Sequence, residues 1–179
     1  MLVIVSNHLL GVMKVEFPEE YIVLRINVAW MRSKKDLIDL LKETTHDVFL
    51  DFPQGRSKPP RPTLNLDEII EIIPKFKNIK YFAISNVEDP IAVATLKARL
   101  PHTIELIPKI ETKIGIEGLE AIIKSIDAKH IMLDKEDIYT NVHHDHKLFE
   151  ELVEQARTTS KENHVQVLEL QGVVFAPHE

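Results

Sequence analysis

Residues 104–133 read IELIPKIETKIGIEGLEAIIKSIDAKHIML, and this stretch decides the fold class. A β-branched run at its start is followed by apolar residues at helical spacing and then by a second apolar run at 130–133. A strand, a helix and a second strand in this order form a βαβ unit, whose two strands lie parallel in one sheet. The stretch therefore predicts an α/β domain built on a parallel sheet.

The same alternation extends over the whole chain. It predicts seven strands, at Leu2–Ser6, Tyr21–Val28, Asp47–Leu50, Ile79–Ser85, Ile104–Ile110, His130–Leu133 and Val165–Leu170. Between them it predicts helices after Ser33, at Ile69–Ile73 with an end near Pro74, and at Asp89–Leu100, Gly115–Ile126 and Asp145–Asn163. The first gap, Asn7–Glu20, has the weakest pattern and is predicted to be a loop with little helix.

Strict alternation leaves two architectures, an open doubly wound sheet or a barrel. No strand is followed by a glycine-rich phosphate-binding string, and the chain has only 5 glycines, which favours the barrel. A complete barrel of this type takes about 250 residues, and Gly172–Glu179 is too short for an eighth unit. We therefore predict a single α/β domain over residues 1–179, a TIM-type barrel that is truncated to about seven βα units. The tail or a partner chain is expected to fill the last position.

Composition excludes several classes of function. The 179 residues include no cysteine, which rules out disulfides, thiolate metal sites and cysteine nucleophiles. A formal net charge of -6 argues against nucleic acid as a partner, because phosphate binding needs a basic surface. The amino-terminal residues Met1–Val5 carry no basic leader, and no apolar run approaches the roughly 20 residues that span a bilayer. We expect a cytoplasmic protein that does not bind membranes.

One proline-rich stretch, Gly55–Pro62, interrupts the pattern after the third strand. It carries three cationic residues and no acidic one. Proline fixes the backbone in extended conformations, so the stretch is predicted to be an extended basic loop. Two roles remain open for it, a stiff connector or a cationic rim for an anionic ligand.

Polar residues cluster where the predicted strands end, which is the end of a barrel that carries its chemistry. Strand two ends in Arg25-Ile26-Asn27, and alternation puts Arg25 and Asn27 on one face. The later strands end at Asp51, Ser85, Lys109-Ile110-Glu111 and the acidic run Asp134-Lys135-Glu136-Asp137. If Ile110 packs outward, Lys109 and Glu111 both point toward the barrel axis.

A lysine beside carboxylates suggests hard-cation chemistry. Glu111 and Asp137 are candidate Mg²⁺ ligands, and Lys109 would then stabilise negative charge on a substrate oxygen. The structural alternative is a buried ion pair between Lys109 and Glu111, since ion networks also occur without a functional role. The pattern alone leaves both open.

Several of these segments resemble pyruvate kinases. The stretch from Ile104 to Ile116 is similar to the active-site signature of that family, and Ile131–Ile138 is similar to its metal-binding segment. Weaker similarities are found at the other strand ends, in Leu24–Asn27, Phe49–Asp51, Ala83–Val87 and Gln171. The resemblance covers most of the chain as a catalytic barrel without the lid and carboxy-terminal domains, and residues 55–62 stand where the family inserts its lid.

The resemblance implies a site for pyruvate or phosphoenolpyruvate, within the wider superfamily of barrels that bind these ligands. It assigns one role to each strand-end residue: Lys109 stabilises an enolate, Arg25 contacts phosphoryl oxygen, Ser85 lines the pocket, Glu111 and Asp137 hold Mg²⁺ or Mn²⁺, and Asn27 and Asp51 belong to a K⁺ site. Lys109 and Arg25 would thus be the catalytic residues.

The favoured function is metal-assisted binding of a 2-oxo acid or phosphoenolpyruvate, with enolate or phosphoryl-transfer chemistry. Two alternatives remain open. One is a metal-dependent aldolase or lyase acting on 2-oxo acids, and the other is a decayed barrel that serves as a ligand-binding or assembly subunit. An incomplete barrel exposes two sheet edges, so a homo-oligomer or a partner that completes the barrel is expected.

The run His143-His144-Asp145-His146 follows strand six. Its imidazoles and carboxylate could bind a transition metal such as Zn²⁺. Adjacent histidines in a loop seldom face one point, however, and Asp145 also fits the N-cap of the following helix. A solvated loop is the favoured interpretation.

Overall fold

A computed structural model of the chain describes residues 3–6, 22–55, 60–171 and 174–177, with side chains at 4–6, 22–55 and 60–169. The predicted loop Asn7–Glu20, residues 56–59 of the proline-rich stretch and the side chain of Gln171 lie outside the described parts. Leu2 and Tyr21, the first residues of two predicted strands, also lie outside them.

Within the described residues, eight strands form one sheet. They are β1 (Val3–Ser6), β2 (Ile22–Asn27), β3 (Asp47–Phe52), β4 (Ile79–Ile84), β5 (Glu105–Ile110), β6 (His130–Leu133), β7 (Gln166–Gln171) and β8 (Val174–Pro177). The first seven match the predicted strands to within two residues at each end. They pair parallel in sequence order from β1 to β7. The predicted α/β barrel of seven units is confirmed.

The last position of the barrel is filled by the chain's own tail. Strand β8 runs antiparallel to β7, where Leu170 pairs with Phe175, and antiparallel to β1, where Ile4 pairs with Phe175. These two pairings close the sheet into a barrel. Of the two predicted ways of filling the gap, the tail is therefore the one found, and a partner chain is not needed to pair the edges of β1 and β7.

Helices cover the outside of the sheet. They are α1 (Lys34–Glu43), α2 (Leu66–Ile72), α3 (Pro90–Ala98), α4 (Lys113–Glu117), α5 (Leu119–Ile126), α6 (Lys135–Asn141) and α7 (His146–Glu162). The predicted helix Gly115–Ile126 is divided at Gly118 into α4 and α5, and α6 has no counterpart among the predicted helices. Within the described parts of the chain, every helix is too short or too polar to cross a membrane.

Two apolar cores hold these layers together. The larger lies between the sheet and the helices and contains residues of β2 to β7, such as Ile26 and Ile110. The smaller fills the barrel and consists of Ile4, Val23, Phe49, Ala83, Ile107, Met132 and Leu168. Because successive strand residues point to opposite faces, residues two positions beyond the inner core emerge at the carboxyl ends of the strands. That end of the barrel is where the polar residues collect.

Deletion of residues 172–179 is expected to open the barrel between β1 and β7. Both strands then lose a hydrogen-bonded neighbour, so the melting temperature should fall by roughly 5 °C or more, and the free edges should promote self-association. Size-exclusion chromatography with light scattering and a thermal melt measure both effects, with deletion of 178–179 as the control. A monomer with an unchanged melting temperature would contradict the closing role of β8.

Candidate active site

The inward-facing polar residues at the carboxyl ends of β2 to β5 form one cluster. Its members share a position just beyond the inner apolar core, and they are Arg25, Asp51, Ser85, Lys109 and Glu111. Ile26 and Ile110, the residues between the paired positions, pack toward the helices. The alternation in the sequence predicted both orientations. Residues far apart along the chain are thus brought together by strand geometry.

Lys109 lies at the centre of this cluster and is only 5% exposed. Its Nζ donates to Ser85 Oγ at 2.9 Å and lies 3.0 Å from Glu111 Oε1 and 3.5 Å from Asp51 Oδ1. Burial alone would lower the pKa of Lys109, but the charges of Asp51 and Glu111 outweigh burial and raise the pKa above its ordinary value. Lys109 is therefore a fixed positive charge near the barrel axis.

Asp51 is fully buried and joins the two cations of the cluster. Its Oδ2 accepts from Arg25 Nε at 2.9 Å and also from Nη2, while Oδ1 faces Lys109. Burial would raise the pKa of Asp51, but Lys109 and Arg25 together hold the pKa below its ordinary value. The carboxylate thus stays ionised and keeps both cations in place.

The two residues predicted for a K⁺ site have other partners. Asn27 uses its Oδ1 to accept the backbone N–H of Ala29 at 2.9 Å, and Asp51 faces the ammonium and guanidinium groups already described. A monovalent cation would have to share Asp51 with two fixed positive charges, which repel it. The K⁺ assignment stays a prediction and plays no part in the function proposed below.

Glu111 is held by one contact on each oxygen. Oε1 faces the ammonium of Lys109, and Oε2 accepts the backbone N–H of Asn86 at 3.0 Å. Asn86 adopts a left-handed conformation, φ 55°, and its side chain donates to the carbonyl of Gln54 at 2.8 Å, which fixes the loop after β4. Burial raises the pKa of Glu111, and Lys109 offsets only part of this effect.

Three carboxylates form a group that could hold a metal ion. Oxygens of Glu111, Asp134 and Asp137 lie within 4.8 Å of one another. Asp134 caps α6 by accepting the backbone N–H of Asp137 at 3.3 Å. Each carboxylate oxygen has two lone pairs, so the contacts described for Glu111 and Asp134 leave acceptor capacity for a cation. Hard oxygen donors in this number suit Mg²⁺ or Mn²⁺.

Glu111 and Asp137 were the predicted metal ligands, and Asp134 was not among them. Its orientation follows from the strand alternation once the inner core is known. Met132 belongs to the inner core, so the residue two positions later must face the same way. Asp134 is that residue, and it lies deeper than the exposed Asp137.

The histidine run lies in the turn between α6 and α7. His143 and His144 have φ angles of 53° and 64°, and Asp145 accepts the backbone N–H of Leu148 at 3.1 Å as the N-cap of α7. Within the described residues, no group of potential metal ligands includes a histidine. The N-cap interpretation of Asp145 is confirmed, and the structure gives no support to a transition-metal site here.

Comparisons with known proteins identify the fold. No family model matches the sequence, and no curated protein matches it. The barrel is similar to the crystal structure of an HpcH/HpaI aldolase/citrate lyase family protein from Burkholderia cenocepacia J2315, with TM-score 0.65, 12% identity, and coverage of 84% of this chain and 71% of that one. At these identities, the likeness shows the fold alone.

Two further solved structures give the same result. Macrophomate synthase matches with TM-score 0.65 and 16% identity over 82% of this chain and 62% of its own. The citrate synthase SbnG matches with TM-score 0.64 and 12% identity over 84% of this chain and 68% of its own. The chain thus spans about two thirds of the length of the proteins that it resembles.

These comparisons correct the assignment made from the sequence. The similarity to pyruvate kinases is wrong as a family assignment, and so are the kinase and transferase activities attached to it, because the matching barrels are of the aldolase and citrate lyase type. The wrong family assignment came from the motif Pro108–Thr112, which places a lysine and a carboxylate at the end of β5. A lysine and a carboxylate in this arrangement are compatible with binding of a 2-oxo acid, whether or not phosphoryl transfer follows.

Replacement of Asp51 by asparagine is expected to destabilise the fold by about 3–5 kcal/mol near neutral pH, because Lys109 and Arg25 lose a buried counter-charge. The pKa of Asp51 is lowered in the folded state, so its stabilisation is complete above the unfolded value of 3.8 and is lost as the pH falls below it. Urea unfolding from pH 7 to pH 3 measures this. The difference in the free energy of unfolding between the wild type and the variant should narrow only at the acid end of this pH range.

The control for that experiment is Asp39→Asn, which removes an exposed carboxylate paired with Lys35 on α1. We expect no measurable loss of stability, since exposed pairs contribute little. Equal effects of the two substitutions would contradict the central position of Asp51.

Proposed function

We propose that this chain is a divalent-metal-dependent lyase or aldolase-type barrel that acts on a 2-oxo acid through its enolate. The observation that carries the proposal is the juxtaposition of Lys109 with the carboxylates Glu111, Asp134 and Asp137 at one mouth of the barrel. Negative charge that develops on a substrate oxygen at this mouth would meet a fixed cation and a bound metal. Such preorganised charge is the usual means of stabilising an enolate.

The three carboxylates are the proposed metal ligands, with Mg²⁺ or Mn²⁺ as the ion. When bound, the ion would supply Lewis acidity toward the 2-oxo and carboxylate oxygens of the substrate. Glu111 is oriented for this role by Lys109 and by the backbone N–H of Asn86. Asp134 is oriented by its bond to the first turn of α6.

Lys109 is proposed to act through its charge and not as a nucleophile. Aldolases of the other chemical type form an imine on a lysine, which requires a neutral amine. Here the ammonium has Asp51, Glu111 and Ser85 around it, and its pKa is raised. These contacts keep Lys109 protonated, so the metal-dependent type of reaction is favoured.

Arg25 is proposed to attract the carboxylate of the substrate. Its side chain is 21% exposed, compared with 6% for Lys109, so it is the more accessible of the two cations that face Asp51. The bond to Asp51 orients the guanidinium at the barrel mouth. Ser85, which is bonded to Lys109, would line the floor of the substrate pocket.

The fold likeness supports the lyase alternative over the others considered from the sequence. Matching structures include a citrate lyase from Burkholderia xenovorans LB400 as well as the aldolase-type barrels. The case for an assembly subunit rested on open sheet edges, and β8 pairs with both edge strands. A homo-oligomer stays a prediction.

The test is exchange of the methyl protons of pyruvate in D₂O, followed by proton NMR with Mg²⁺ or Mn²⁺. Enolisation removes a methyl proton to solvent and returns a deuteron, so an active site that stabilises the enolate erases the methyl signal. Glu111→Gln should slow exchange by about 100-fold or more, since one metal ligand and charge is lost.

The control is Glu105→Gln, on the same strand but at the opposite mouth of the barrel, where the carboxylate is bonded to His130. This variant should exchange pyruvate at the wild-type rate. Absence of protein-dependent exchange in a folded wild type that binds the metal would contradict the proposed enolate chemistry.

A further inference from the structure

A second charge cluster lies on the outer side of β7. Glu169 is only 2% exposed, and it points toward the helices because its neighbour Leu168 belongs to the inner core. Arg157 of α7 binds it through two bonds, Nε to Oε1 at 2.8 Å and Nη2 to Oε2 at 2.9 Å. Lys135 of α6 places its Nζ 2.9 Å from Oε2. One carboxylate thus joins β7 to two helices.

The cluster is connected to the candidate metal site through Lys135. This lysine is the first residue of α6 and lies between Asp134 and Asp137 in the sequence. Adjacent Cα atoms are about 3.8 Å apart, so whatever fixes Lys135 also fixes the backbone that carries Asp134. The side chain of Lys135 reaches outward to Glu169, while Asp134 faces the carboxylate of Glu111.

Several contacts hold the start of α6. The backbone N–H of Asp134 donates to the carbonyl of Ile110 at 3.2 Å, which joins the turn to β5. The side chain of Asp134 accepts the backbone N–H of Asp137 at 3.3 Å, and its carbonyl accepts a backbone N–H one turn later at 3.0 Å. The ion pair between Lys135 and Glu169 supplies a further attachment, on the side of β7.

We infer that Lys135, anchored by Glu169, is a positioning residue that holds Asp134 and Asp137 where a divalent ion can be bound by both. This inference rests on the proposed function, because it assigns a role toward the same metal site. Residues that orient metal ligands typically change metal affinity by 10- to 100-fold when they are replaced.

A positioning role and simple electrostatics predict opposite changes in metal affinity when Lys135 is replaced. Lys135→Met removes a positive charge beside a cation site, and charge repulsion alone would then make metal binding tighter. Loss of the anchor instead lets the first turn of α6 move, which weakens binding by both of its carboxylates. The sign of the change therefore separates positioning from a through-space charge effect.

The experiment is a Mn²⁺ titration of the full chain, with free Mn²⁺ measured by electron paramagnetic resonance. Lys135→Met should weaken Mn²⁺ binding by about tenfold or more, and Lys135→Arg, which keeps the ion pair, should retain most of the affinity. The matched control is Arg157→Met, which removes the other cation from Glu169. It should lower the melting temperature and leave Mn²⁺ affinity near the wild-type value.

Each outcome has a defined meaning. Unchanged or tighter binding by Lys135→Met, or an equal loss in Arg157→Met, would overturn the positioning role while the metal site itself stands. Absence of Mn²⁺ binding by the wild type, or unchanged binding by Glu111→Gln, would overturn both this inference and the proposed function. Circular dichroism checks that each variant is folded, and Lys135→Gln replaces Lys135→Met if the latter unfolds.

Discussion

The site depends on the contacts that the buried ammonium group of Lys109 makes with its neighbours. The ammonium lies within 3.5 Å of Asp51 on β3, of Ser85 immediately after β4 and of Glu111 immediately after β5, and so ties three neighbouring parts of the barrel mouth together. A buried ammonium without counter-charges would cost several kcal/mol. Asp51 and Glu111 provide those counter-charges, and their own burial is in turn compensated by Lys109. Removing any member leaves an unpaired charge in the barrel.

The two buried carboxylates of the cluster differ in the direction of their pKa shifts. Asp51 has its pKa lowered and serves to hold the cations, whereas Glu111 has its pKa raised and lies next to Asp134 and Asp137 at the start of α6. A carboxylate whose ionised form is only partly stabilised by the protein favours a further cation. For Glu111, folded-state ionisation costs stability as the pH rises through its raised pKa, and a bound divalent ion would reverse that cost.

Much of the fold could be predicted from the sequence, because period-two and helical spacings state directly which residues face a core. A strand was predicted at Ile104–Ile110 and is found at Glu105–Ile110, and the spacing put Lys109 and Glu111 on one face, which points inward because Ile110 packs outward. The closure was predicted only as a choice between the tail and a partner chain, since a four-residue strand such as β8 has no helix to mark its unit. Asp134 was not predicted because Ile131, Met132 and Leu133 are all apolar, so the sequence does not show which of them faces the barrel axis. The family assignment failed because charged residues are common at the strand ends of such barrels, so a short motif there does not determine the family.

In the proposed function, Glu111, Asp134 and Asp137 bind one divalent ion at the mouth of the barrel. Its most direct test is a crystal structure of the protein with Mn²⁺, with diffraction data collected near the manganese absorption edge. We expect one anomalous peak at about 2.0–2.3 Å from an oxygen of each of these three carboxylates, with Lys109 still in contact with Asp51. A peak elsewhere, or ordered crystals in which the three carboxylates bind no manganese at saturating concentration, would contradict it.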